Sequence, residues 1–407
     1  MEDFLKLLIV FVGIIVGIRK KIFVGYILFA AGVLTALLYQ VSFSEAFVGY
    51  KELILSKNFL YLYGMIILIT FLGRVLKEIG YLDRLVKSSE NLIGGARTAS
   101  AALPPLVGLM PMPGGALLSA PLIGKILSSE KYTPEFRTVM NYWSRHIVEF
   151  CWPVYPGLIL SAALTSMPIG TIALLQLPMT FIMVAIGIIF FVREIEVNNN
   201  GVGQFIRPFF KIIVCVWPIL LAIVIYAIFP IALVWAVLIS VILLLLKEKP
   251  SLVQLKIVGK EAFTPRLFIL TYGVLSFQMM LEITGAVGSI PKLSAQLGLP
   301  AAFVIILVAF SSGLLTGILF ALVGLAYPLL AGYLYDPQVN LANIFLAFVS
   351  GYIGMIFSPT HFCLILTNEY FRSNLGKVYR LLTVPLLILF AIGFLLYLIG
   401  YPWNIFR

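Results

Sequence analysis

Charge is scarce in this sequence: of 407 residues, 11% are Asp, Glu, Lys or Arg, against 61% hydrophobic. No soluble domain of that length hides so much apolar surface, so the solvent must be lipid. Histidine is almost absent, His146 and His361 being the two present. There is no HExxH motif, no GxSxG elbow and no phosphate loop, and GLMPMPGG at 108–115 lacks the lysine such a loop needs. The chain is therefore read as not an enzyme, with no cofactor, no resident metal and no nucleotide to drive it. Cys151, Cys215 and Cys363 all sit in apolar runs with no metal-ligand spacing, which excludes a disulfide framework and makes them small hydrophobes. The net charge of +11 is spread over short loops rather than gathered on one face, which excludes a nucleic-acid surface.

What the chain has is apolar runs. Ten are long enough to cross or nearly cross a bilayer, at about 4–18, 22–40, 59–77, 146–166, 168–192, 208–229, 231–246, 266–287, 342–367 and 378–400. The first begins behind Met1-Glu2-Asp3 and is followed by Arg19-Lys20-Lys21, the reverse of a cleavable leader, so it is expected to be a retained span. Two further stretches, 97–128 and 300–334, are apolar but interrupted by Pro, Gly and Ser near their middles. Each reads as a re-entrant hairpin, a backbone tolerated at membrane depth where protein or a water-filled cavity surrounds it. With both hairpins re-entering, the loops holding 19–21, 74–97, 125–145, 193–211, 247–266 and 372–380 fall on one side. They carry 23 of the 28 Lys and Arg, leaving Lys6, Lys51, Lys57, Lys292 and Arg407 on the other. Lys and Arg near span ends set orientation, so the basic loops are expected in the cytoplasm and both termini outside.

The two halves echo one another. WPVYPGLILS at 152–161 and SPTHFCLILT at 358–367 align at an offset of 206, Pro121 aligns with Pro328 at 207, and Tyr63-Gly64 with Tyr272-Gly273 at 209. Each half holds three spans, a hairpin and two spans; five crossings is odd, so the halves must lie in opposite orientations. The expected fold is an all-α polytopic membrane protein in two inverted repeats, 1–192 and 208–407, joined by a polar linker at 193–207.

Paired interruptions of this kind are the architecture of secondary transporters, whose solutes bind near the midplane at broken helices. Proline removes a helical donor and clashes with the carbonyl four residues back. Pro153 with Pro156, and Pro359, are expected to break the spans at 146–166 and 342–367. The freed carbonyls suit a cation, and the new helix N-termini suit an anion. The hairpin tips are placed at Pro113-Gly114-Gly115 and around Ala321 to Gly324.

Two stretches, LMPMPGGALLSAPLIGK and RHIVEFCWPVYPG, together with this arrangement of hairpins and breaks, resemble the ion-transporter superfamily of gluconate, citrate, lactate and dicarboxylate permeases and arsenite and sodium/proton transporters. The similarity is closest to a branch of prokaryotic integral membrane proteins of unassigned function. It covers nearly the whole chain, though Met112-Pro113-Gly114-Gly115 stands where dicarboxylate members carry Ser-Asn-Thr. The resemblance implies a homodimer in a prokaryotic inner membrane, with a scaffold part and a transport part that moves in an elevator-like displacement.

Ionisable groups within spans are candidates by default. His361, directly after Ser358-Pro359-Thr360, either contacts substrate or carries a proton, or is a neutral imidazole bonded to a helix carbonyl. Tyr155 is its counterpart at offset 206. Glu149 shares a helix face with Arg145 and His146, and reads equally as half of an ion pair near the cytoplasmic surface or as a proton or cation carrier. Asn141 and Arg145 border the cytoplasmic mouth and could serve an anion, though Asn141 is placed in a solvated loop, and Glu282 lies on a structural or scaffold-side span. Ser and Thr also pack routinely between membrane helices. The substrate-binding set is Pro113, Gly114, Gly115, Ser119, Pro153, Tyr155, Thr316, Gly324, Ser358, Pro359, Thr360 and His361; ion coupling falls to Glu149, His361 and Cys151. The function expected is ion-coupled symport, driven by protons or sodium, of a small organic anion such as a carboxylate. The alternatives are an inorganic-ion exchanger and, more remotely, a channel or an intramembrane enzyme.

The charge asymmetry makes one prediction. A cysteine replacing Lys256 in whole cells should resist a membrane-impermeant thiol reagent, and one replacing Lys292 should react. The reverse pattern would invert the topology.

Overall fold

A computed structural model describes residues 2–81, 84, 95–110, 115–196 and 206–403, without the side chains at 4, 95 and 206–213. Pro113, Gly114 and most of the expected linker lie outside the described residues. Among those described, the regular structure is helical, with no strand.

Numbered in chain order and leaving out single turns, the helices are α1 Glu2–Arg19, α2 Val24–Leu38, α3 Phe43–Leu55, α4 Lys57–Glu78, α5 Gly95–Gly108, α6 Ala116–Ile126, α7 Pro134–His146, α8 Pro156–Thr165 and α9 Ile169–Phe190. Then follow α10 Ile206–Ile228, α11 Leu233–Glu248, α12 Leu252–Ala262, α13 Pro265–Ile283, α14 Ser289–Gln296, α15 Ala301–Thr316, α16 Leu319–Leu329, α17 Leu341–Ile356, α18 Phe362–Phe371 and α19 Leu375–Leu398. By length and composition, four stretches of the described chain can cross a membrane: Lys57–Glu78, Ile169–Glu194, Leu252–Ile283 and Leu375–Leu398. They contain or overlap the expected spans at 59–77, 168–192, 266–287 and 378–400. Several other expected spans appear as shorter apolar helices, among them Val24–Leu38, Pro156–Thr165 and Leu341–Ile356.

Local chemistry explains many of the starts. Ser42, Ser56, Thr133, Asn340 and Asn374 each accept a hydrogen bond from the backbone N–H three residues on. Ser251 and Gln254 close a reciprocal capping box at the start of α12.

Four expectations need correction. Residues 125–145 were read as a loop, yet Thr133-Pro134-Glu135 caps and opens α7, whose residues Thr138–His146 are all buried. The segment is too polar to register as a span, and its polar groups are covered by neighbouring helices rather than by water. The first broken helix therefore runs from Pro134, not from 146. The second hairpin turns at Gly317-Ile318, not at Ala321–Gly324, which lie inside α16. Gly317 has φ +61, and an added Cβ would stand 2.8 Å from the His361 nitrogen, so only glycine makes this turn. Finally, α3 and α12 occupy segments read as loops; α3 has no buried residue.

Packing then positions the interruptions. Helix α5 lies on α7 and α15 on α17. In the first half, α6 packs on α7 and also on α18 of the second; in the second half, α16 packs on α17 and also on α8 of the first. Thus each hairpin's second arm bridges both broken helices. Helices α2, α4 and α13 form a neighbouring group that meets this assembly through α13 on α16 and α4 on α8. Glycine allows close crossings in both regions. A Cβ on Gly273 of α13 would collide with the Gly25 carbonyl of α2, and one on Gly313 of α15 with the Gly351 carbonyl of α17. At one end of the molecule, Arg97 donates to the Ile195 and Arg193 carbonyls at 2.9 and 2.8 Å, while Lys131 pairs with Glu196 at 2.6 Å. Their mutual hydrogen bond holds the Glu196 carboxyl below and the Lys131 ammonium above their ordinary values.

Gly273→Leu should destabilise the detergent-solubilised protein by about 1–3 kcal/mol or more, since the obstruction is backbone. Gly259→Ala, with no atom within 4 Å of the new methyl, should leave the melting temperature unchanged or raised.

Candidate functional site

Both broken helices open where the prolines stand. Helix α7 tightens into one 3-10 turn, Ile147–Phe150, and the chain then leaves helical geometry until Pro156 restarts it at the first position of α8. Proline fits there because its missing N–H would have had no helical partner. Helix α17 ends at Ile356, the chain passes through Ser358-Pro359-Thr360, and α18 begins after His361. The restarts at Pro156 and Phe362 are 206 residues apart, the offset seen in the sequence.

A cavity of about 310 Å³ lies between these breaks and the second hairpin's turn. Pro156 and Gly157 from the start of α8, Leu319 and Phe320 from α16, and Phe362 and Cys363 from α18 line it, so three helix N-termini meet there. Their unpaired amides and partial positive charge favour an anion. Arg145, Glu149, Tyr155, Gly317 and His361 complete much of the wall.

The charged groups are sealed in. Arg145 is 2% exposed, Glu149 and His361 6%, and His146 0%. Arg145 Nη1 donates to Glu149 Oε1 at 3.2 Å, and His146 Nε2 lies 3.8 Å from the same oxygen. The guanidinium rests on Gly115, where a Cβ would stand 2.6 Å from Nη2. A buried ion pair stays in place when geometry and further hydrogen bonds offset desolvation, and losing one partner is costly. Beside it the two imidazoles meet, His146 Nε2 and His361 Nε2 being 3.0 Å apart. His146 Nδ1 lies 2.6 Å from the Tyr142 carbonyl, an acceptor that requires the proton on Nδ1. The Tyr142 ring packs edge-on against both imidazoles, with centroids 4.7 and 5.4 Å away.

Several carbonyls around the breaks and hairpin ends, expected from the sequence to be free for a cation, are taken by side-chain donors. Tyr142 donates its hydroxyl to the Ile356 carbonyl at 2.9 Å, and Tyr352 to that of His146 at 2.6 Å. Ser358 donates to Leu314, Trp152 to Leu109, and Tyr155 makes a short bond to Gly108. Each side chain supplies the donor that the interrupted helix or hairpin end lacks.

The expected site residues separate accordingly. Tyr155, Glu149 and His361 line the cavity, and Gly115 lies behind Arg145. Ser358 is buried in the break, where it also accepts from the Thr360 amide, while Pro359 and Thr360 are exposed. Pro153 and Cys151 are half-buried and outside the lining. Ser119 and Thr316 bond to their own helices' carbonyls. Gly324 packs against Val274 and Leu160, away from the cavity. Asn141, read as solvated, is fully buried and donates to the Ala116 carbonyl and Thr367. Glu282, on α13, is exposed and accepts from Gln278.

Sequence reasoning missed Tyr142, Tyr352, Gly317 and Cys363. One signal was available: Tyr352 and His146, which bond to each other, stand 206 residues apart, as do Tyr155 and His361. The cysteines, read as having no metal-ligand spacing, include Cys363, whose thiol falls within 4.8 Å of both imidazole donor atoms.

A chain whose described regular structure is helical, with helices long and apolar enough to cross a bilayer, is a helical membrane protein. Residues 4–400 match the family described as "Protein of unknown function (DUF401)", and the chain belongs to that family. No curated protein matches it. The family's description assigns no chemistry to the cavity.

Tyr352→Phe, which strands the buried His146 carbonyl, should cost about 1–3 kcal/mol in a denaturation midpoint. Tyr142→Phe should cost a similar amount, through Ile356.

Proposed function

We propose that the protein is a secondary active transporter that couples symport of a small organic anion, of carboxylate type, to a proton or sodium gradient. One observation carries the reading: three helix N-termini and the Arg145 guanidinium meet on a single cavity of about 310 Å³ between the two breaks. That volume is at the low end of the roughly 300–1,000 Å³ of small-molecule sites, which suits a solute of a few heavy atoms. The N-terminal amides attract negative charge, and a guanidinium matches a carboxylate in shape and sign. Glu149, sharing the wall with Arg145, is the carboxylate available to the coupling ion.

The exchanged packing of α6 and α16, each spanning both broken helices, supports two inverted repeats of about 1–192 and 208–407 with re-entrant hairpins. The separate grouping of α2, α4 and α13 supports a scaffold against which the hairpins and broken helices move, as an elevator requires. Together with the similarity to the ion-transporter superfamily, this reading includes a homodimer in a prokaryotic inner membrane with both termini outside.

The test has two stages. Small carboxylates, sugar acids, amino acids and oxyanions are screened for thermal stabilisation of the purified protein, with and without sodium and at two pH values. A carboxylate at a hundred times its Kd should add about 2.7 kcal/mol of stability, and Arg145→Lys should lose most of that gain. In proteoliposomes the same solute should accumulate only under an imposed proton or sodium gradient. Stabilisation by inorganic ions alone would favour an ion exchanger, and gradient-independent flux a channel.

A further inference from the structure

We propose that His146, His361 and Cys363 form a binding site for a divalent cation of the zinc class, held by the two imidazole Nε2 atoms and the Cys363 sulfur. This goes beyond the transport reading and does not depend on it.

The three residues offer ligand atoms that all lie within 4.8 Å of one another, and all three are buried. Around a tetrahedral ion with bonds of about 2.0–2.1 Å to nitrogen and about 2.3 Å to sulfur, ligand atoms stand roughly 3.3–3.8 Å apart. The Nε2 pair at 3.0 Å needs to open by only a few tenths of an ångström. Imidazole and thiolate together select zinc-like ions over magnesium or calcium, which take oxygen.

The surroundings are those of a ligand pair rather than of two packed rings. The Tyr142 carbonyl holds the proton of His146 on Nδ1, which leaves Nε2 a lone pair aimed at His361. Histidine ligands are oriented in this way, by a carbonyl or carboxylate on the far nitrogen. The Tyr352 hydroxyl on the His146 carbonyl further fixes that residue. His361 and Cys363 stand at the start of α18, two residues apart, and both line the cavity, so a fourth coordination position would face open space.

The protons balance without any other reactant. In the metal-free chain His361 Nε2–H donates to His146 Nε2. Coordination frees that nitrogen by shifting the proton to His361 Nδ1, which is buried beside the Gly317 backbone. The Cys363 thiol proton leaves to solvent, as metal binding by thiols requires. The Arg145 charge next to the site is offset by Glu149 at 3.2 Å.

The experiment titrates the full-length, metal-stripped protein in detergent, with zinc against a chromophoric chelator and with cobalt read optically. We expect one ion per chain, the intense visible bands of four-coordinate cobalt, and a thiolate-to-cobalt charge-transfer band. Cys363→Ser should abolish that band. His361→Gln should weaken zinc by more than the roughly 10–100-fold typical of an outer-shell change. Cys215→Ser, in α10, should alter neither, and thermal melts establish that each variant is folded. The proposal fails if the parent chain binds no ion, or if Cys363→Ser and His361→Gln bind with unchanged affinity and spectrum. No solute enters the measurement, so its failure is distinct from a failure of uptake.

Discussion

A helix interrupted inside an apolar body leaves backbone amides and carbonyls that water cannot reach, and each must find a partner within the protein. The centre of this structure follows from that constraint. Tyr142 and Tyr352 reach across to carbonyls of the opposite broken helix, and Ser358, Trp152 and Tyr155 do the same for hairpin arms and their ends. Two of these bonds, Tyr142 to Ile356 and Tyr352 to His146, run in opposite directions between the halves of the chain and so also hold the halves in register. The breaks can persist because their cost is met by side chains that only the folded arrangement brings near.

With several carbonyls capped, groups of another kind stand at the centre. Helix N-termini, a guanidinium paired with a carboxylate, the His361 imidazole and the Cys363 thiol line the cavity, and the His146 imidazole meets His361. The positive ends of α8, α16 and α18 have the polarity that suits an anion, while the His146–His361 pair with Cys363 has the donor chemistry of a borderline cation site. The two lie side by side, and Arg145 with Glu149 is the hinge between them. Hydroxyls expected to contact a solute, such as Ser119 and Thr316, instead bond back along their helices, which is how such residues settle in apolar surroundings.

The sequence reading found the lipid environment, the interruptions of the helices near Pro153 and Pro359, and the 206-residue spacing between the two restarts. Those features live in composition and in proline and glycine placement, and both are local. It erred at α7, because a run with Glu135, Arg137, Asn141 and Arg145 has no hydropathy signal for burial. It put the second tip a few residues late, because Ala321–Gly324 and Gly317-Ile318 are equally plausible turns until the approach of the His361 backbone singles out Gly317.

What the sequence determined by itself, then, was that this chain is helical, built for lipid and broken in paired places, since a residue's polarity and backbone freedom act wherever it sits. What only the tertiary structure decided was which groups meet at the breaks. Arg145 was assigned to a cytoplasmic mouth and is sealed beside Gly115; His146 and His361, 215 residues apart, face one another at 3.0 Å. Hydrogen bonds and coordination act over a few ångströms, and the spacings that set them come from how helices pack across the chain, which no stretch of sequence carries alone.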